Sequence, residues 1–573
     1  MKKLLYGLVT ALTFFAATSC VEDLNVESIN PNQSSKIDVD ALFTKIYNTL
    51  GTTGQRGPDG SPDVAGVDEG TSAFYRMMFS LNEFPADMVY WIWPDAGVDD
   101  IRNATWNSSN TLVKGLYSRL YFDISLCNLF LEETEDMTDG DMATRRAEVR
   151  FMRALNYYYL LDMFGNNVPK VTASALSENP MPFTQQDRLF DYIETELLVA
   201  KDDMTDAMTA KTAYYRVDKA AAWLLLSRLY LGSAVYLDKE ETECKEYYDK
   251  AALYADSVIS SSKYTLADSY AHLFMGDNDM RSSVNTAHNE VILAIAQDGE
   301  HVRGYGAAQF LIAATHTDGM APWGSTDQWK CIRTRSQLVK LFFPDLSNYG
   351  IEYKNDEDDI HTGDVTTNEA FMDAVAEMRY KGEDTTLTRL AKDDRALFCN
   401  YRVYNDTSVF VCNMGRTNRS DEFKSGWAIT KFSNIYADGG SPSNSQWVDM
   451  DVPLMRKAEA YLNYAEAVLR GGNMVSMSVD DAVNALRERA NAEPLSGVTL
   501  DDILDERGRE FYCEGYRRSD LIRFGKFGGE TGYYWEWQGG AQLGKNFDEY
   551  RNLYPIPLSD IIINNNLDQN EGY

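Results

Sequence analysis

The sequence predicts a mainly α-helical protein: a tetratricopeptide-like helical-repeat scaffold with long irregular loop insertions that carry short strands. Three observations lead there. Three segments share one arrangement of small and large residues, further helical periodicities flank them, and two stretches rich in Gly, Ser, Asn and Asp interrupt the pattern. Ala147, Phe151, Ala154 and Tyr158 set the template, which Ala220, Leu224, Ser227 and Leu231 repeat, as do Ala458, Leu462, Ala465 and Leu469. That spacing keeps all four residues on one face of an α-helix. The small positions admit a neighbouring helix and the large ones fill the groove beside it, as in tetratricopeptide pairs. The copies keep no fixed period, so the repeat is degenerate.

In chain order, further helices are expected at about 111–136, 185–205, 244–260, 480–491 and 500–523. Asp451-Val452-Pro453 reads as an N-cap with proline in the first turn. The interruptions span about 51–109 and 262–450, and within the second Val291-Ile292-Leu293-Ala294-Ile295 reads as a strand. The scaffold then occupies about 111–260 and 450–525 of a single body, residues 20–573. Long insertions on a rigid scaffold are where function concentrates.

The N-terminus sets the address. Met1-Lys2-Lys3 is basic, Leu4 to Ala17 is apolar, and Ala17-Thr18-Ser19-Cys20 closes with small residues. This is the pattern of a secretory signal peptide over 1–19. Cleavage before Cys20 leaves an N-terminal thiol able to carry lipid, which holds a protein to a membrane without spanning it. Ala17 is weaker than the usual leucine three residues before such a cysteine. Val21-Glu22-Asp23 resembles the export signal that sends one large group of Gram-negative lipoproteins to the outer face of the outer membrane.

Hydrophobic residues make up 44% of the 573 residues, ordinary globular content, and no second stretch approaches the roughly 20 apolar residues of a membrane span. A formal charge of −33 argues against nucleic acid and anionic lipid surfaces, since both require a basic face. The cysteines other than Cys20 lack CxxC spacing and form neither a disulfide framework nor a zinc site. Nor does catalysis show itself. His272, His288, His301, His316 and His361 stand apart, and neither an H-E-x-x-H nor a G-x-S-x-G motif occurs. A glycoside hydrolase needs two carboxylates flanking the bond, which counting acids cannot identify. No enzyme is therefore expected. On the helices alone, the natural alternative is a protein-interaction scaffold.

Two segments carry a resemblance. Glu148-Val149-Arg150-Phe151-Met152-Arg153-Ala154-Leu155, followed by Met163-Phe164-Gly165, resembles the central helix of the SusD/RagB family. Glu506-Arg507-Gly508-Arg509-Glu510-Phe511 and Glu514-Gly515-Tyr516-Arg517-Arg518-Ser519-Asp520-Leu521-Ile522-Arg523-Phe524-Gly525 resemble its second signature, and Tyr554-Pro555-Ile556-Pro557 also matches. The resemblance implies a helical fold with tetratricopeptide-like units. It also implies a surface lipoprotein that captures glycan and lids a SusC-like TonB-dependent porin in the outer membrane, breaking no bond.

Sugars offer flat C–H faces and a rim of hydroxyls, so a binder needs exposed rings and a few polar groups. Trp91 and Trp93 alternate around Ile92, and in extended chain they share a face. By resemblance to the starch-binding branch of the family, Trp93, Tyr305 and Trp329 are stacking rings on exposed loops, forming an arc suited to starch-type α-glucan. Arg76 is then a polar partner, and Asp68 and Glu69 are acidic neighbours. The family pattern has an asparagine where this chain has Ala96, so a hydroxyl contact is either lost there or taken over by Asp95. Trp91 and Trp323 are additional rings that either widen the platform or simply pack. Asp279, Asp449 and Asp451 resemble segments that ligate calcium in the family; oxygen ligands from separate loops suit Ca²⁺. No other cofactor is implied.

Overall fold

The computed structural model describes residues 37–573 apart from 55, 174–178, 207–213, 318–319, 321, 345–386, 400, 405–407, 412–425 and 542. The signal peptide and Cys20 lie outside the described residues, as do His361 and parts of the 262–450 insertion.

The scaffold helices follow one another as the template requires. Thr111–Glu133 packs on Met142–Phe164, which packs on Leu189–Asp203, and the stack continues through Lys219–Leu231 to Lys245–Ile259. Lys457–Leu469 then returns across the whole insertion to pack on Lys245–Ile259, and carries Val479–Arg489 and Leu500–Phe511 beyond it. Every template position is buried except Leu469, which is half-buried at the end of its helix. Segments far apart in the chain are knitted together as well. The Trp106 indole N–H donates to the hydroxyl of Tyr573, the final residue, at 2.6 Å, and Arg517 pairs with Asp87 at 2.7 Å. No helix among the described residues is long and apolar enough to cross a membrane.

Two expected elements differ. The helix expected over 500–523 breaks into Leu500–Phe511 and Arg517–Arg523, because Cys513 and Gly515 take φ of +60° and +83°, left-handed values that end a helix. The N-cap expected at Asp451 is a strand entry instead. Val452–Arg456 pairs antiparallel with Val291–Ile295, and the helix begins only at Lys457. Pro453 sits opposite Ala294 beside a register irregularity, a place where a missing N–H is tolerated. The strands expected in the insertion are present as two-stranded pairs among the described residues.

One buried ionic network joins insertion and scaffold. Arg456 bonds Glu290 at 3.0 Å, Glu510 at 2.5 Å and Glu514 at 2.8 Å; Arg395 bonds Glu506 at 2.6 Å, and Lys431 bonds Glu514 at 2.7 Å. Buried arginines also hold neighbouring carboxyls below their usual range. Burial alone would raise the Glu466 carboxyl, but Arg523 and Arg470 outweigh it and hold the pKa down to about 2. Glu510 is likewise held below the carboxylate range, against burial, by Arg489, Arg456 and Arg395. A depressed folded pKa stabilises above the unfolded value, about 4.3, and that stability is lost as pH falls toward the folded value. The melting temperature should therefore fall steeply from about pH 4.5 toward 2. Glu466→Gln should flatten that slope in a pH series of thermal melts, and an unchanged slope would contradict the assignment.

Candidate functional site

Antiparallel pairing builds the site. Strand Val89–Trp91 lies against Ile332–Thr334, with Trp91 opposite Ile332, and Ile92 donates its N–H to the Cys331 carbonyl at 2.9 Å. Trp93 follows the first strand closely and Trp329 closely precedes the second, so the pairing sets their rings side by side. The centroids are 6.2 Å apart with planes tilted by 34°. Tyr305 joins from a third loop, 5.6 Å from Trp329 at a tilt of 44°. That loop is seated by Gly306, where an added Cβ would fall 2.3 Å from the Ala73 Cβ and 2.4 Å from the Gly51 carbonyl, so only glycine allows the approach. Trp329 is thus the middle of a three-ring row. All three rings are half-buried rather than exposed, and Trp93 and Trp329 also pack against the hydrophobic core.

Beneath the row lies the helix Ala308–Thr315. Its Phe310 is fully buried, 6.5 Å from Trp329 and stacked at 5.8 Å and 29° on Trp91. Arg76 projects from the helix Phe74–Glu83 with its guanidinium 4.8 Å from the Phe310 ring and 5.3 Å from Trp329, while donating to the Gly70 carbonyl at 2.9 Å. Burial lowers its pKa, and Asp95, Asp68 and Glu69 work against that shift. Arg76 therefore props the rings and offers charge to the cleft together.

The cleft measures about 560 Å³ and is lined by all three rings together with Asp68, Glu69, Arg76 and Asp95. Asp68 and Asp95 are exposed. Asp68 accepts from the Thr71 hydroxyl at 3.3 Å, and Glu69 accepts from the Thr53 hydroxyl. Asp95 accepts the Trp91 indole N–H at 3.0 Å, which orients it at the rim beside Ala96. Flat apolar faces with charged oxygens at one edge match the two surfaces of a sugar.

Trp91 requires a correction. It is 1% exposed and meets Trp93 edge to face at 5.9 Å. The alternation did place both indoles on one side, and Trp91 reaches the lining of the cleft, but it is buried and stacked on Phe310 beneath the row, making it a support for the row. Trp323 is stacked on His316 at 5.0 Å and donates to the Asp327 carbonyl. Burial pulls His316 down to about pKa 4, so it is neutral at physiological pH. The sequence reading missed two rings. Phe310 is one; the other is Trp447, 5.0 Å from Tyr305 at a tilt of 50°. An aromatic in a Ser- and Asn-rich loop was the available signal for Trp447.

The three aspartates expected to hold calcium are engaged by protein groups. Arg281 bonds Asp279 at 2.8 Å and approaches Asp449 at 3.5 Å, while Asp449 also accepts from Ser443, Gly299 and Tyr436. Asp451 accepts the Gln297 N–H at 2.7 Å through one oxygen, and its other oxygen is buried with no hydrogen-bond partner. Burial, with Asp279 adding to it, pushes its pKa up to about 8. Among the described residues, no group of three or more His, Cys, Asp or Glu side chains is placed to hold a metal ion.

The sequence profile of the SusD family matches residues 289–573, and a second profile, described as starch-binding associating with outer membrane, matches residues 23–231. The chain belongs to the SusD family. It is 39% identical over 576 residues to the starch-binding protein SusD of Bacteroides thetaiotaomicron, spanning 100% of this chain and 99% of that one. Solved structures share the fold at lower identity. The surface glycan-binding protein A of Bacteroides fluxus matches with a TM-score of 0.65 at 17% identity, covering 94% of this chain and 100% of that one. The surface glycan-binding protein A of Bacteroides thetaiotaomicron in complex with laminarihexaose matches with a TM-score of 0.60 at 18% identity, covering 93% and 98%.

Proposed function

We propose that this protein captures starch-type α-glucan, as malto-oligosaccharide or polysaccharide, at the cell surface and passes it to a SusC-like TonB-dependent porin without breaking a bond. The observation that carries the reading is the tilted row of Trp93, Trp329 and Tyr305. Neighbouring planes are tilted by 34° and 44°, so a straight, flat ligand cannot lie on all three at once. An α-1,4-linked chain curves by its own geometry, whereas a β-1,4-linked chain runs straight. The similarity to a starch-binding relative supports the same ligand class. A protein-interaction scaffold leaves this aromatic cleft without a use. Electrophoresis in gels cast with amylopectin, laminarin or a β-1,4-glucan tests the proposal: retardation by amylopectin with no reducing sugar released is expected. Equal retardation in the β-1,4-glucan gel, or release of sugar, would overturn it.

Lipid carried on Cys20 is the proposed attachment to the outer membrane. Cys20→Ala should move the protein from the membrane pellet to the soluble fraction, since without the thiol no acyl chain is attached. Continued pelleting of the variant refutes the lipid anchor.

Calcium is a lesser proposal resting on the unpartnered Asp451 oxygen. Asp279, Asp449 and Asp451 would hold the ion only after rearrangement: they are not grouped as a metal site as they stand, and Arg281 would have to release Asp279 and Asp449. Millimolar calcium should then raise the melting temperature relative to chelator, and Asp451→Asn should abolish the rise. No rise in the unmodified protein removes calcium from the account.

A further inference from the structure

Trp447 lies one ring past the cleft. Its centroid is 5.0 Å from Tyr305 at a tilt of 50°, a spacing and tilt comparable to the steps from Trp93 to Trp329 and from Trp329 to Tyr305 at 6.2 and 5.6 Å. It is half-buried and does not line the cleft itself. A loop ring in such a position is useful only if it is held, and several bonds hold it. Asn444 accepts the N–H groups of both Gln446 and Trp447, at 2.9 and 3.0 Å, which turns the loop over the preceding asparagine.

The second tie is more specific. Gln309 is 1% exposed and adjoins Phe310, the ring beneath Trp329. Its side-chain amide donates to the Gln446 carbonyl at 3.1 Å and to Asp327 at 2.7 Å, and its oxygen accepts the Val448 N–H at 3.1 Å. Ser325 donates to the same Gln446 carbonyl at 2.6 Å, and Thr326 donates its N–H to the Ser445 carbonyl at 2.9 Å. One buried side chain therefore clamps the loop bearing Trp447 to the loop bearing Trp329. Held side chains lose little freedom when a ligand arrives, which is how preorganisation contributes to affinity.

We propose that Trp447 is a fourth stacking position, one that extends the binding face beyond the cleft and makes affinity depend on the length of the glycan chain. This rests on the α-glucan reading of the same site. A short chain fills the cleft, where Arg76, Asp68 and Asp95 meet its hydroxyls, and never reaches Trp447. A longer chain follows the curve past Tyr305 and covers the fourth ring. Gln309 acts as a positioning residue for that ring.

Calorimetry with maltotriose, maltopentaose and maltoheptaose on the unmodified protein, Trp447→Ala, Trp447→Phe and Trp93→Ala tests the proposal. Trp447→Ala should bind maltotriose as before and lose about tenfold in maltoheptaose affinity, roughly the worth of one stacked contact. Trp447→Phe should recover most of that loss, and Trp93→Ala should weaken every length. Unchanged maltoheptaose binding by Trp447→Ala, or an equal loss at all lengths, overturns the fourth position alone while the α-glucan reading stands. Failure of the unmodified protein to bind any of the three sugars overturns both.

Discussion

Trp329→Ala should weaken binding of a long malto-oligosaccharide by about 2–3 kcal/mol, on the order of 30- to 150-fold, the largest single loss in the site. The ring is central in every sense that matters. It touches Trp93 on one side and Tyr305 on the other, covers Phe310, and receives the Arg76 guanidinium at 5.3 Å. Its removal takes away one stacking face and loosens the two beside it, so the loss should exceed that of Trp93→Ala or Tyr305→Ala. Because the ligand is neutral, affinity should hardly change with salt. Some stability should go as well, since Trp329 packs against the core; truncation of a half-buried aromatic costs less than the roughly 3–5 kcal/mol of a fully buried one. Calorimetry with maltoheptaose and cellohexaose, beside urea denaturation, separates the two effects. Full α-glucan affinity in a Trp93, Tyr305 and Trp329 triple alanine variant would sink the site assignment, as would equal affinity for cellohexaose.

The largest loss of stability should come from Arg456→Met, about 3–5 kcal/mol, the range for breaking a buried ion pair from one side. Arg456 is 1% exposed and contacts Glu290, Glu510 and Glu514. Arg489 and Lys431 remain beside those carboxylates, but three buried acids then share fewer cations. The urea midpoint should drop with the slope unchanged. Adding Glu510→Gln should recover part of the loss, because the two residues share one network. Glycan affinity of the folded variant should be unchanged. A cost below about 1 kcal/mol would show that the network is replaceable.

Much of this was legible before any coordinates. The spacing Ala147, Phe151, Ala154 and Tyr158 is a local property of one helix, and burial of that face follows from it wherever the helix packs. The candidate site residues came from the family resemblance, since nothing in their own spacing singles out Trp93, Tyr305 and Trp329; the structure sets these three rings side by side. Pairing between distant segments was not. Asp451-Val452-Pro453 carries a genuine capping signal, and it loses because Val291–Ile295 offers a strand partner far away in sequence. Trp91 and Trp93 look equivalent in the alternation; only the helix under them distinguishes a support from a binding face. Gly515 was a visible warning that the last long helix would break. The place of Trp447 in the row was not legible, because only the fold brings its loop beside Tyr305.

The return of Lys457–Leu469 onto Lys245–Ile259 sets a condition on how the chain comes to be folded. The stack begun by the first half lacks its continuing partner until nearly all of the chain has been made, and Trp106 waits for Tyr573 itself. Contacts this distant along the chain form late and slowly. A chain exported through a translocation channel, as the proposed lipid anchor on Cys20 would require, has to remain threadable in transit, and a topology that closes late supplies that delay. Removal of the segment that carries Tyr573 should then destabilise more than that segment, because it closes a contact with Trp106 far back along the chain.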